Sequence, residues 1–288
     1  MKNNRQIGYE PSVILTYVDH NLIEFIQKYN IQLIVASRNI MQDENAVKRF
    51  YEALPLGVSV IDFPSFYEMI MEKVPVSAIN ETWFLENLME INKRTFEAIK
   101  RGFDIILAIL LGIPTILLFP LAAILIKAET PGPALYRQKR VGKNGEVFEA
   151  IKFRSMINNA EKEKTGWIKP EKGDCRVTRI GNILRKTRID ELPQIWNVLK
   201  GEMSFIGPRP ERPEFVKELE QQIPYYAMRH LVKPGLSGWA QINFSDASAK
   251  DALEKLQYDL YYIKNRSLVL DLAIAAKTIA TIVGRTGR

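Results

Sequence analysis

Apolar residues over the first eighty positions follow two alternating rhythms. Short β-branched runs, "SVILTYV" (12–18), "IQLIVAS" (31–37) and "GVSVIDF" (57–63), have the make-up of strands. Between and after them, "NLIEFIQKYN", "ENAVKRFYEAL" and "SFYEMIMEKV" space their apolar residues as helices do. The alternation predicts a small parallel α/β module, partly Rossmann-like, over residues 1–80. Residues 81–99 read as a connecting helix. The rhythm then stops. From Ile105 to Ile126 no residue carries a charge. As a straight helix this run reaches about 33 Å at about 1.5 Å per residue, enough to cross a bilayer. A buried helix of a soluble core is the bland alternative, and uniform apolarity over such a length argues against it.

Basic residues stand at both ends of the run: Lys100 and Arg101 before it, Lys127, Arg137, Lys139 and Arg140 after it. Positive flanks stay on the cytoplasmic side, and here both qualify. Pro114 lies mid-run, where it removes a backbone hydrogen bond and favours a kink. The expectation is a re-entrant membrane helix over 105–126, hinged at Pro114, in preference to an ordinary kinked span. Residues 100–288 then form a mainly α, membrane-associated catalytic domain. Within it, "ALYRQKRVGKNGEVFEAIKFRSM" predicts a small β-hairpin turning at Asn144-Gly145. "SLVLDLAIAAKTIATIV" predicts an interfacial or core helix, in which Asp271 needs a partner.

Charge sharpens the division. Residues 1–99 carry 9 basic and 13 acidic side chains, net −4, and residues 100–288 carry 31 and 20, net +11. The second part should therefore meet anions. Nucleic acid would explain the charge but not the apolar run, so no nucleic-acid partner is expected. The single cysteine, Cys175, cannot form an internal disulfide, which fits a reducing setting. "MKNNRQIGYEPS" has no apolar core of a signal peptide. No glycine-rich phosphate loop follows the first predicted strand.

Candidate chemistry centres on "RKTRIDELPQIWNVLKGEMSFIGPRP" (185–210). Asp190 stands where a helix N-cap belongs, with Glu191 beside it and Pro193 in the first turn. Gly201 is the expected stop. Arg185 and Arg188 precede the acids. Arg209 follows in a loop stiffened by Pro208 and Pro210. Lys152 and Arg154 alternate onto one strand face, which suits a phosphate but, for this pair alone, reads first as a solvated strand face. A carboxylate among cations is either a salt-bridge network or a nucleophile or metal ligand for a diphosphate. Tyr258, Tyr261 and Tyr262 read as packing residues. His20 and His230 are too far apart to suggest a histidine metal site, although His230 could face the acids.

From about Lys100 onward the chain resembles the bacterial sugar transferases, the monotopic polyprenyl-phosphate phosphoglycosyl transferases. The resemblance rests on "KRGFDIILA", "PGPALYRQKRVGKNGEVFEAIKFRSM", "RIGNILRKTRIDELPQIWNVLKGEMSFIGPRP", "VKPGLSGWAQIN" and "YDLYYIKNRSLVLDLAIAAKT", in that order. It implies transfer of a sugar 1-phosphate from a UDP-sugar to polyprenyl phosphate, with release of UMP, as a first membrane step of surface polysaccharide, capsule or lipopolysaccharide synthesis. It implies that Asp190 is the nucleophile and a Mg2+ contact, and that Glu191 assists. It implies that Lys152, Arg154, Arg185, Pro208, Arg209 and Asp271 serve the phosphates or nucleotide. Pro114 would be the membrane hinge, although Ile113 replaces the usual small residue. Membrane lipid is a further implied partner, a homodimer is left open, and the location is the cytoplasmic face of the bacterial inner membrane. Residues before 100 resemble part of the α/β module of longer members. The competing reading is a catalytically inactive basic scaffold that binds anionic lipid.

Overall fold

The computed structural model describes residues 22–88, 93–158, 174, 176–244 and 251–284. The predicted strand 12–18 and Cys175 lie outside the described residues. The chain parts into two compact units between Met69 and Ile70.

In the first unit α1 (Leu22–Tyr29), β1 (Leu33–Ala36), α2 (Arg38–Met41), α3 (Glu44–Ala53) and β2 (Ser59–Asp62) follow in order, and α4 (Phe63–Met71) leads out of it. β1 and β2 pair in parallel, Leu33 opposite Ser59 and Ala36 opposite Asp62. Asp43 caps α3, its carboxylate accepting from the Asn45 and Ala46 N–H groups. Leu22, Ile26, Phe50 and Val58 close a small core over the strand pair. The expected parallel α/β layer is thus present as a two-stranded unit among the described residues.

The second unit begins differently from expectation. Over residues 81–99 the structure describes one short helix and the start of a second, with 89–92 outside the described residues. α5 (Glu81–Asn87) is short and capped by Asn80, and its Trp83 is buried in the second unit's main core. The long helix α6 (Arg94–Glu129) starts well before the apolar run and continues through Pro114 and Pro120.

Next come β3 (Leu135–Val141) and β4 (Val147–Phe153), antiparallel as predicted. Asn144 and Gly145 both take positive φ (56° and 80°), the conformation a tight hairpin turn demands. α7 (Arg179–Lys186), α8 (Ile195–Lys200) and β5 (Ser204–Ile206) are followed by α9 (Pro213–Gln222) and β6 (Gly235–Ser237). α10 (Trp239–Asn243), α11 (Ala252–Asn265) and α12 (Leu268–Val283) complete the unit. β5 and β6 form a short parallel ribbon. Gly201, with φ of 87°, ends α8 as expected. Leu256, Leu260, Tyr262 and Ile263 of α11 are buried in the main core beside Ile274 of α12. Tyr261 stacks on Trp239, so the tyrosines pack as predicted.

α6 is held to the second unit at both ends. Near its start Arg101 donates to the Val198 and Leu199 carbonyls (2.6 and 2.7 Å), and Asp104 accepts from Ser204 Oγ and the Phe205 N–H. Near its end Ala122 and Ile126 pack on Phe153 and Leu184, and Glu129 accepts from the Arg179 and Ile180 N–H groups. Between Ala108 and Ala122 no residue is buried; Ile116 and Leu117 are 72% and 74% exposed. Only 11% of its apolar window is buried. α6 is not covered as a core helix would be among the described residues, and it is long and apolar enough to lie in a membrane. α12 buries Ile274 and leaves Val269, Leu272 and Ile279 exposed, so apolar side chains face outward as well as inward.

Candidate active site

Asn197 fixes the site's frame. Its amide bridges α8 to β4, accepting from the Ile151 N–H (3.2 Å) and donating to the Glu149 carbonyl (2.7 Å). Its side chain is fully buried. This clamp brings the residues just before α8 against the middle of β4. Those residues are a 3-10 turn, Ile189–Gln194, entered through Arg188 in the left-handed region (φ 59°).

Asp190 is not the N-cap predicted from the sequence. It lies inside the 3-10 turn and caps no backbone N–H among the described residues. The turn and α8 are short, so little macrodipole is available to it. The main influence on Asp190 is instead burial: at 9% exposure the carboxyl is pushed above its ordinary value by desolvation, then by the adjacent Glu191 charge. Lys152 and Arg185 oppose that shift without cancelling it. Asp190 Oδ1 is buried and has no hydrogen-bond partner among the described residues.

Glu191 is the hub. Its Oε1 accepts from both Lys152 Nζ (2.7 Å) and Arg209 Nη2 (2.8 Å), and Arg188 lies 3.9 Å from Oε2. Burial pushes Glu191 up, yet Arg209 and Lys152 outweigh it and hold the carboxyl far below the usual range. Desolvation lowers Lys152 despite its partner, whereas Arg209 is raised, chiefly by Glu191. The adjacent acids are thus driven apart, the arrangement by which paired carboxylates acquire separate roles.

Arg209 is aimed by the β5–β6 ribbon. The Gly235 N–H donates to the Pro208 carbonyl (2.9 Å), which places the loop. Arg229 donates to the Arg209 carbonyl (2.9 Å) while pairing with Asp259 at 2.8 Å. Arg229 and Asp259 are both buried, and Tyr226 also accepts from Arg229. The sequence pattern did not single out this pair: Asp259 sits in a tyrosine-rich helix that reads as packing. Asp259→Asn should leave Arg229 as an uncompensated buried charge and cost about 3–5 kcal/mol, checked by denaturant unfolding in detergent.

Arg140, Lys152, Gln194, Arg209 and Pro210 line a small open pocket beside the acids. Arg140 was expected only as a membrane flank. Gln194 is buried, with an amide nitrogen that lacks a partner among the described residues.

Other predicted residues lie elsewhere. Arg185 donates to Ser155 Oγ (2.8 Å) and remains near Asp190. Arg154 does not join Lys152. It follows the end of β4, and its guanidinium donates to the Pro131, Ile126 and Thr130 carbonyls, closing the C-terminal end of α6. Asp271 pairs with Lys100 and accepts from Tyr262 Oη (2.9 Å), a contact between helices. His230 packs edge-on against Tyr226 and is pushed down to about 4 by burial and by Arg229, so it is neutral near pH 7.

A buried acid pair, a cationic pocket and an exposed apolar helix on one body are the parts of a membrane-associated enzyme for a phosphorylated substrate. The family model of bacterial sugar transferases matches residues 95–285, and the chain belongs to that family. It is 51% identical over 187 residues to the UDP-N-acetylgalactosamine-undecaprenyl-phosphate N-acetylgalactosaminephosphotransferase of Aeromonas hydrophila, covering 64% of this chain and 44% of that one. It is 38% identical over 214 residues to the UDP-glucose:undecaprenyl-phosphate glucose-1-phosphate transferase of Escherichia coli, covering 73% and 44%. It is 41% identical over 196 residues to exopolysaccharide production protein PSS of Rhizobium leguminosarum bv. phaseoli, covering 65% and 96%. The chain thus spans less than half the length of the first two relatives.

Proposed function

We propose that this protein transfers a sugar 1-phosphate from a UDP-sugar to polyprenyl phosphate through a covalent Asp190 intermediate, at the cytoplasmic face of the bacterial inner membrane. The observation that carries the reading is the divided acid pair. Glu191 holds Lys152 and Arg209 in place, while Asp190 keeps a buried oxygen free. An Asp190 carboxylate oxygen attacks the β-phosphorus, the bond from that phosphorus to the bridging oxygen breaks, and UMP leaves with the electron pair. A polyprenyl phosphate oxygen then attacks the resulting acyl phosphate and returns Asp190 as carboxylate. Lys152, Arg209 and Arg140 face the charge that develops on the phosphoryl oxygens. Gln194 can donate to the same substrate.

Asp190 is the residue that would hold Mg2+. The described residues contain no group of three or more acids, histidines or cysteines suited to a metal, but magnesium needs only one or two carboxylates beside substrate phosphates. When bound it offsets diphosphate charge. With Mg2+ and polyprenyl phosphate, a panel headed by UDP-N-acetylgalactosamine and UDP-glucose should yield UMP for at least one donor, and chelation should stop release. Folded, membrane-bound protein that releases UMP from no donor would favour the inactive scaffold.

Arg209→Lys tests the phosphate geometry. A planar guanidinium serves two phosphate oxygens at once, which an ammonium does not. UMP release should fall roughly 10²-fold, in the range for one lost transition-state donor, with the unfolding temperature unchanged.

The attachment of both ends of α6 to one unit supports the re-entrant topology. A straight helix of this length would run about 54 Å, and a bend near Pro114 would let both ends stay on one side. Cysteines placed beside Arg101 and Lys127 should both resist an impermeant label added outside intact cells. Pro114→Ala should restore the missing backbone bond and convert some molecules to a spanning form, seen as labelling of one flank.

A further inference from the structure

A second, shallow pocket opens at the start of α6. Lys100, Arg101, Ser204, Lys233, Tyr262 and Arg266 contribute to its wall. It shares no lining residue with the pocket beside Asp190. Arg101 caps the C-terminal end of α8, whereas the catalytic acids precede that helix's N-terminal end.

The pocket's charges account for one another, with one exception. Lys100 is paired with Asp271, and Arg266 with Glu97 at 3.0 Å. Arg101 is satisfied by the α8 carbonyls, and Asp104 by Ser204 and the Phe205 N–H. Lys233 has no hydrogen-bond or ion-pair partner among the described residues, although it is only partly exposed. A methyl group built on Gly201 would lie 3.4 Å from Lys233 Nζ and 3.5 Å from Arg101 Nη2, so both cations face one gap. Burial, then Arg101 and Lys143, lower Lys233, and the Asp104 and Glu97 carboxylates in the same wall oppose that shift without cancelling it. A half-desolvated ammonium beside a guanidinium calls for an anion.

Position selects the kind of anion. The gap lies beside the last charged turn before the apolar run, at headgroup height if α6 enters a membrane. Phe103, Ile106, Leu107 and Leu110 are exposed immediately beyond it, where acyl chains would lie. We infer that this pocket binds the phosphodiester of an anionic membrane phospholipid, with Lys233 and Arg101 as its ligands. The acyl chains run along the first turns of the apolar stretch. The inference rests on membrane insertion of α6.

The test uses the full chain reconstituted in phosphatidylcholine vesicles with or without phosphatidylglycerol, then extracted gently for native mass spectrometry. Wild-type protein should retain phosphatidylglycerol in preference to phosphatidylcholine. Lys233→Gln should reduce that preference roughly tenfold, as expected for one lost charge-assisted contact. Lys217→Gln, which removes an equal charge from exposed α9, should leave it intact. UMP release by Lys233→Gln at saturating substrates should match wild type. Equal retention by Lys233→Gln and wild type, in protein that stays in the vesicles, overturns the site alone. Protein that washes out of the vesicles overturns the membrane placement beneath it. A thermal shift with inorganic phosphate that Lys233→Gln abolishes, without any lipid preference, makes this a small-anion site and overturns the lipid assignment. A raised KM for polyprenyl phosphate in Lys233→Gln assigns the pocket to the acceptor and likewise overturns it.

Discussion

Asp190→Asn is expected to release no UMP and form no adduct, a loss of at least about 10³-fold in turnover, the scale seen when a covalent nucleophile is removed. With UDP-sugar and Mg2+ but no lipid, wild-type protein should release up to one UMP per chain. It should also carry a sugar phosphate on the peptide holding Asp190, detectable by mass spectrometry. The variant should show neither. Its stability should move the other way. Asp190 has a raised pKa in the folded state, so ionising it costs folding free energy. That cost is absent below the ordinary carboxylate pKa and complete above the raised one. Near pH 7 the neutral amide removes it, and the unfolding temperature of Asp190→Asn should hold or rise. A wild-type preparation that turns over with lipid yet gives no lipid-free burst would overturn the covalent route in favour of a single displacement with both substrates bound.

Glu191→Gln should lower turnover by roughly 10²-fold or more, within the range for an assisting acid or base, and should also shift the pH profile. Glu191 helps hold Asp190 up, so removing its charge lets Asp190 ionise at lower pH. The acid limb of kcat/KM should therefore move down. Lys152 loses the carboxylate that counters its desolvation, so its pKa falls further and the basic limb also moves down. An acid limb that stays in place would assign that limb to a group other than Asp190.

The local signals in the sequence were strong wherever the chemistry is local. Asn144-Gly145 specified its hairpin because few other residues take two successive positive φ values. Gly201 ended its helix for the same reason. The uncharged run from Ile105 to Ile126 announced a long apolar helix, and the structure leaves it largely exposed. Adjacency alone placed Asp190 and Glu191 together among arginines, and a specific succession of motifs made the family legible.

What each acid does was decided only by tertiary structure. Sequence spacing treats Asp190 as a cap and Glu191 as its neighbour. The Asn197 clamp and the β5–β6 ribbon bring Lys152 and Arg209 to Glu191 and leave Asp190 Oδ1 buried without a hydrogen bond among the described residues. Long-range contacts of this kind have no local pattern, because they depend on where two distant strands end. The same holds for Arg154, whose alternation with Lys152 stops counting once β4 ends at Phe153. Trp83 likewise belongs to the second unit's core through contacts remote in sequence. Arg229, Asp259 and the unpaired Lys233 were equally silent: in a chain with so many cations, burial and partners separate a working charge from a solvated one, and only the folded chain supplies both.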